Sequence, residues 1–232
     1  TVSVPTLIDW LNEADIAVTV SGQTDGAIDA LTFNSRAVAA GCLFAALPGS
    51  RVDGHDFIDQ ALSANASALL VQHPPTAPHS APTLIVANSA QALAVLAARF
   101  FGPLPRRLQA VTGTNGKPSG APFGRLLGGG RRAVSVGTLG MLPGGLFDMP
   151  HLTSPDQSAL AQGLASAAAT GRQTAIVEAS SHGLDQGRLD GLLFDAAAFT
   201  NLSRDHLDYH PTMEADWHAK TRLFTDRPKP PG

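Results

Sequence analysis

LQAVTGTNGKPSG, residues 108–120, sets a short apolar strand before a glycine-rich turn and the start of a helix. That order forms a phosphate-gripping unit. Glycines let successive backbone N–H groups turn toward one anion, and the helix N-terminus adds partial positive charge. Lys117 then stands where an ammonium neutralises β- and γ-phosphate oxygens. The common spacing places four residues between the first glycine and the Gly-Lys pair. Here Gly113 and Gly116 enclose only Thr114 and Asn115, so a plain Asn-Gly turn stays open as the alternative. Pro118 follows the lysine, where a nucleotide site wants a metal-binding hydroxyl. The helix is read from about Ser119.

Downstream, LLGGGRRAVSVGTLG (126–140) reads as loop and then strand. In SPDQSALAQGLASAAATGR (154–172), Ser154 and Gln157 have capping-box spacing with Pro155 in the first turn, and the helix should stop near Gly171. QTAIVEAS (173–180) reads as a buried strand carrying Glu178 at its end, and FDAAAFTNL (194–202) as another. ADWHAKTRLF (215–224) is helical, before a proline-rich tail. Upstream, TLIDWLNEA (6–14), DFIDQALSA (56–64) and AQALAVLAARFFG (90–102) have helical spacing. LTFNSR, CLFAALPG, ASALLVQ and PTLIVANS are short runs of strand character. GPLPRR (102–107) separates two domains, 1–104 and 105–232. Alternating strands and helices predict an α/β protein with parallel sheets. Ligands of such sheets sit at the carboxyl ends of strands, where TGTNGK, EASSH and TNLSRDH all fall.

The composition agrees. With 232 residues, 44% hydrophobic and 15% charged, the chain can bury a core in one large or two modest domains. A net charge of -3 offers no basic field for nucleic acid. Cys42 is alone, so no intrachain disulfide forms and a reducing compartment fits. No apolar run reaches the roughly 18 to 20 residues of a membrane span, and TVSVPTLIDW lacks a signal-peptide pattern. A cytoplasmic location without membrane partners is expected; nothing specifies an oligomeric state.

Several residues invite chemistry. Glu178 brings a carboxylate to a strand tip, the geometry for holding Mg²⁺, although a surface glutamate would look the same. His182 follows two serines, and His206 lies between Asp205 and Asp208, a set that suits either a metal or a polar turn. Lys220, on an amphipathic helix, is by itself an ordinary solvated cation. A hydrolytic Ser181–His182–Asp185 set lacks the G-x-S-x-G elbow.

TGTNGK, LTSPD, EASSHGLDQGRLDG and FTNLSRDHLDYHPTMEADWHAKTRLF together resemble the Mur ligases, which build the peptide stem of bacterial cell-wall precursors. NSRAVAAGCLFAALPGSRVDGHDFIDQAL (34–62) is similar to that family's small UDP-binding domain. The resemblance covers nearly the whole chain and is strongest to the branch adding the third amino acid. It implies a small N-terminal α/β UDP-binding domain, then a partial P-loop-type parallel-sheet ATPase domain, with the family's C-terminal amino-acid-binding domain absent. The implied activity uses ATP and Mg²⁺ to join a diamino acid, diaminopimelate or lysine, to UDP-N-acetylmuramoyl-dipeptide through an acyl phosphate.

Carried over by position, Gly113, Thr114, Asn115, Gly116 and Lys117 would cradle ATP phosphates. Glu178 and His206 would be Mg²⁺ ligands, joined by Lys220 as a carbamyl-lysine. Lys117, His206 and Lys220 would thus carry catalysis. Thr153, Ser154, Ser180, Gln186 and Arg188 would hold the sugar-peptide, Arg188 by a forked bond to an anionic group, and Ser35 would contact uridine. Asn34 departs mildly from the family's Asp-Ser-Arg. Pro118 departs more, since the family's threonine hydroxyl there helps hold Mg²⁺ and proline also lacks an N–H. Weakened ATP·Mg²⁺ binding is expected, which keeps a second reading alive: a non-catalytic module holding the UDP-sugar. The SSHGLDQGR match argues against a folylpolyglutamate synthase.

Overall fold

Ser3 starts the first helix by accepting the Thr6 N–H on its hydroxyl, and Pro5 sits in the first turn, where its missing N–H leaves no bond unmade. Helix α1 (Val4–Glu13) turns Val4, Leu7 and Leu11 inward. The computed structural model describes residues 1–49, 52–128, 130–149, 153–203 and 209–226, in two compact units, Thr1–Phe100 and Phe101–Gly232.

In the first unit β1 (Val2–Ser3) pairs with β3 (Ala27–Ile28). The main sheet comprises β2 (Val18–Ser21), β4 (Ala30–Thr32), β5 (Cys42–Ala45), β6 (Ala68–Val71) and β7 (Thr83–Val86), in the order β2-β7-β6-β5-β4. Only β2 runs antiparallel to its neighbour. Every residue of CLFA and ALLV is buried, as expected of parallel strands covered on both faces. Helices α2 (Ile58–Ser63) and α3 (Ser89–Phe100) complete the unit. Phe44 is fully buried against Ile58, Leu69 and Val71. Phe44→Ala should therefore cost about 3–5 kcal/mol, read as a lower urea midpoint at unchanged slope.

Two upstream expectations need correction. NSR is not strand: the Asn34 side chain accepts the Arg36 N–H at 3.1 Å and caps a 3-10 turn, Ser35–Ala37, a local bond that competes with the sheet ladder. DFIDQALSA is helical only from Ile58, because Asp53 caps a preceding 3-10 turn, Gly54–Phe57.

The second unit has β8 (Arg107–Thr112), β9 (Ala133–Gly137), β10 (Gly140–Leu142), β11 (Thr174–Glu178) and β12 (Ala196–Phe199). Their order is β10-β9-β11-β8-β12, parallel except for β10. Helices α4 (Lys117–Gly128), α5 (Gln157–Ala169), α6 (Ser181–Asp185) and α7 (Met213–Thr225) follow the strands. Helix α4 starts two residues earlier than read, at Lys117, and takes in Leu126 and Leu127, expected as loop. Gly120 and Gly124 let it lie close on the sheet: a Cβ at each would stand 3.2 Å from Val111 and 3.5 Å from Ile176. Pro118 falls in the first turn, where proline is tolerated. The capping box is also corrected. Asp156, not Ser154, caps α5 by accepting the Ala159 N–H at 2.9 Å, because Ser154 is buried in bonds to β11 and Ser180. No described helix is long and apolar enough to cross a membrane.

Candidate functional site

Since β8, β9, β11 and β12 run parallel, their carboxyl ends open at one edge of the sheet. Gly113 leaves β8 at φ +137°, and a Cβ there would collide with the Thr200 hydroxyl; Gly116 follows at φ +85°. The end of β12 ties this loop down. Thr114 N–H donates to Asn201 O at 2.8 Å and Asn115 N–H to Asn201 Oδ1 at 3.0 Å. Two amides of the expected phosphate cradle are thus engaged within the protein. Lys117 Nζ folds over its own loop, donating to Gly113 O at 2.5 Å and Thr114 O at 2.9 Å. Those are the bonds an arriving anion would replace.

Glu178 ends β11 buried. Its Oε2 accepts from Thr138 N at 3.2 Å and from Thr138 Oγ1 at 3.0 Å, and that hydroxyl lies 2.9 Å from Thr153 Oγ1. Burial pushes the carboxyl above the usual range, while the Thr138 bonds and the Lys117 charge oppose the rise. A buried hard-oxygen donor at a strand tip fits Mg²⁺. Thr138 was not legible as a site residue; it lies beyond β9 in GTLG, with no motif to mark it.

Ser154 knits the other wall. Its hydroxyl donates to Glu178 O at 3.1 Å and accepts from Ser180 N at 2.9 Å. Ser180 in turn caps α6 by accepting Gly183 N–H at 3.0 Å. Ser154→Ala would orphan a part-buried N–H and should cost about 1–3 kcal/mol, measurable as a fall in unfolding free energy. Arg188 directs its fork inward, donating to Ser154 O at 2.7 Å and to Gln186 Oε1 at 3.0 and 2.7 Å. Burial lowers its pKa, and Asp156 opposes this.

A cavity of about 590 Å³ opens here and gathers Gly113, Lys117, Thr153, Ser154, Ser180, Arg188 and Lys220 from the expected set. Glu178 and Gln186 bond to the lining residues Ser154 and Arg188, and Thr114, Asn115 and Gly116 do not line the cavity. Ser35 belongs to the first unit, and His206 lies outside the described residues. His182, Tyr209 and His210 also line the cavity. The His182 ring stacks on Tyr209 at 3.7 Å and 18°, and Tyr209 Oη donates to Asp185 Oδ2 at 2.7 Å. Asp185 therefore serves Tyr209, which removes the hydrolytic reading. Burial, then the charges of Arg188 and His210, hold His182 below its ordinary pKa, and Asp185 opposes this.

Lys220 lies buried on α7. Its Nζ donates to Asp216 Oδ2 at 2.6 Å and to Thr114 Oγ1 at 3.2 Å, with the side chain 2% exposed. Among the described residues one cluster has metal-ligating side chains, Asp53, His55 and His73 of the first unit. There the Gln72 N–H donates to His55 Nε2 at 3.0 Å, which places the ring proton on Nδ1, facing Asp53 Oδ1 at 2.7 Å. Both ring nitrogens are thereby engaged.

Comparison with known proteins yields one family. The Mur ligase middle domain matches residues 111–231, and the Mur ligase family catalytic domain matches residues 27–101. UDP-N-acetylmuramoyl-L-alanyl-D-glutamate–2,6-diaminopimelate ligase of Bradyrhizobium diazoefficiens is 44% identical over 207 residues, 88% of this chain and 42% of that protein. The protein of the same name from Caulobacter vibrioides is 44% identical over 209 residues, 87% of this chain and 43% of that one. A solved structure of a ligase with that name superposes with a TM-score of 0.80 at 31% identity, over 97% of this chain and 45% of its own. MurF ligase from Thermotoga maritima in complex with ADP shares the fold, with a TM-score of 0.56 at 23% identity over 85% of this chain and 43% of its own. The chain thus spans less than half the length of these relatives.

Proposed function

The chain belongs to the Mur ligase family, and on that premise we propose that it forms the UDP-precursor-binding and ATP-binding parts of a ligase. The reaction adds meso-diaminopimelate to UDP-N-acetylmuramoyl-L-alanyl-D-glutamate in the cytoplasm, for peptidoglycan synthesis. A free carboxylate is a poor acylating agent; transfer of the γ-phosphoryl group gives it a leaving group that the incoming amine displaces. The protein's task is to hold two anionic reactants in line and to balance their charge. One observation carries the reading: a single cavity at the strand ends collects Lys117, Ser154, Ser180, Arg188 and Lys220.

Lys117 exchanges its bonds to the loop carbonyls for phosphate oxygens. Glu178, with His206, would hold Mg²⁺, which would supply charge neutralisation at the phosphates. Thr153, Ser154 and Ser180 orient the sugar-peptide, with Gln186 bracing Arg188, and Ser35 of the first unit contacts uridine. Lysine is the alternative third amino acid. Calorimetric titration with the UDP-dipeptide and, separately, with ATP·Mg²⁺ tests the proposal; absence of both heats defeats it.

Pro118 and the engaged amides of Thr114 and Asn115 favour a second reading, a module that holds the precursor but binds nucleotide weakly. Pro118→Thr supplies the missing hydroxyl and N–H. It should tighten ATP·Mg²⁺ about tenfold, or ~1.4 kcal/mol. No gain would acquit Pro118.

A further inference from the structure

Thr138 stands just past β9 and does not line the cavity, yet it bonds to both Glu178 and Thr153. Its backbone N–H and its hydroxyl donate to the same oxygen, Glu178 Oε2, at 3.2 and 3.0 Å. Gly137 makes room for this arrangement. A Cβ there would stand 2.1 Å from Glu178 Cδ, so a larger residue would push the carboxyl off Thr138. Glu178 is 2% exposed, and as a carboxylate it can only accept. A threonine hydroxyl has one proton to give, and that of Thr138 is committed to Glu178. Its other neighbour, Thr153 Oγ1 at 2.9 Å, is therefore the donor of their shared bond. Thr153 lines the cavity. With its own proton spent on Thr138, it turns only lone pairs to a bound molecule.

We propose that Thr138 is a positioning residue that sets the hydrogen-bond sense of the substrate wall. Through it the buried Glu178 carboxylate fixes Thr153 as an acceptor, so that Thr153 takes an N–H or O–H of the bound precursor. The inference rests on the precursor-binding reading given above. A carbonyl or carboxylate oxygen brought to Thr153 would meet lone pairs and no proton, which leaves a polar group unpaired at a desolvated wall. An amide N–H or a hydroxyl finds an oxygen polarised by the chain Thr153–Thr138–Glu178. Lys117 and Arg188, in the same cavity, serve anionic groups instead. Donor and anionic groups of the ligand are thus sorted between different side chains, which fixes its orientation.

Two measurements test this. Calorimetric titration with the UDP-dipeptide compares the wild type with Thr138→Val, which keeps the branched shape and the backbone N–H but loses the hydroxyl, with Thr138→Ser, which restores it, and with Thr153→Val. Thr138→Val should weaken binding about three- to tenfold, and Thr138→Ser should stay within about twofold of the wild type. In a Thr153→Val background, Thr138→Val should add nothing. Unchanged affinity in Thr138→Val, an equal loss in Thr138→Ser, or losses that multiply in the double variant overturn the proposal. Neutron diffraction from deuterium-exchanged crystals of the ligand-free chain reads the bond itself. Expected is a deuteron on Thr153 Oγ1 directed at Thr138 Oγ1; a Thr138 deuteron directed at Thr153 overturns the proposal. That reading needs neither ligand nor variant, so a wild type that binds no precursor defeats the functional reading alone and the diffraction still decides the bond.

Discussion

Gly113→Ala is expected to remove ATP·Mg²⁺ binding and to lower stability by about 2–5 kcal/mol, adding left-handed backbone strain to a steric clash. Gly113 holds φ +137°, and a Cβ would enter the Thr200 hydroxyl and stand 3.0 Å from the Asn201 backbone. The loop and the end of β12 must separate, which releases the Thr114 and Asn115 N–H bonds to Asn201. Gly116→Ala gives the contrast. Gly116 is also left-handed, at φ +85°, but its nearest neighbour, Thr200 Cγ2, lies 3.7 Å away. It should cost only the backbone term, about 1–2 kcal/mol. Equal losses in the two variants would mean that the clash does not matter and that the loop is not anchored as described.

Arg222→Ala is the second large effect. Arg222 leaves α7 to bond Leu184 O and both carboxylate oxygens of Asp190, at 3.3 and 3.2 Å. It thereby pins the helix carrying Lys220 to the segment carrying Ser180 and Arg188. The Asp190 side chain is 5% exposed and that of Arg222 30%, so the full penalty of a broken buried pair is discounted to about 2–3 kcal/mol. Arg222→Lys keeps the charge but loses the fork and should recover only part of it. Precursor affinity should fall with the unfolding midpoint; a fall in midpoint alone would separate α7 packing from the cavity.

The α/β class, with its parallel sheets, was legible because it rests on period and punctuation. QTAIVEAS and ASALLVQ are apolar runs of strand length, and Gly171, at φ +81°, stands just past α5 where read. Local capping was less legible. Ser154 and Asp156 are both good caps, and only the buried partner on β11 removes Ser154 from the competition. The strand-end positions of Lys117 and Glu178 followed from topology alone. Thr138, Asn201 and Asp216 did not, because each acts through a partner distant in sequence or through burial, and neither leaves a pattern along the chain.

The most direct measurement is a crystal structure of the chain with a non-hydrolysable ATP analogue and Mg²⁺. Expected is a terminal phosphate in the cavity beyond β8, with Lys117 Nζ turned from Gly113 O onto a phosphate oxygen. A nucleotide bound elsewhere, or Lys117 still folded on its loop beside a bound analogue, would contradict the account.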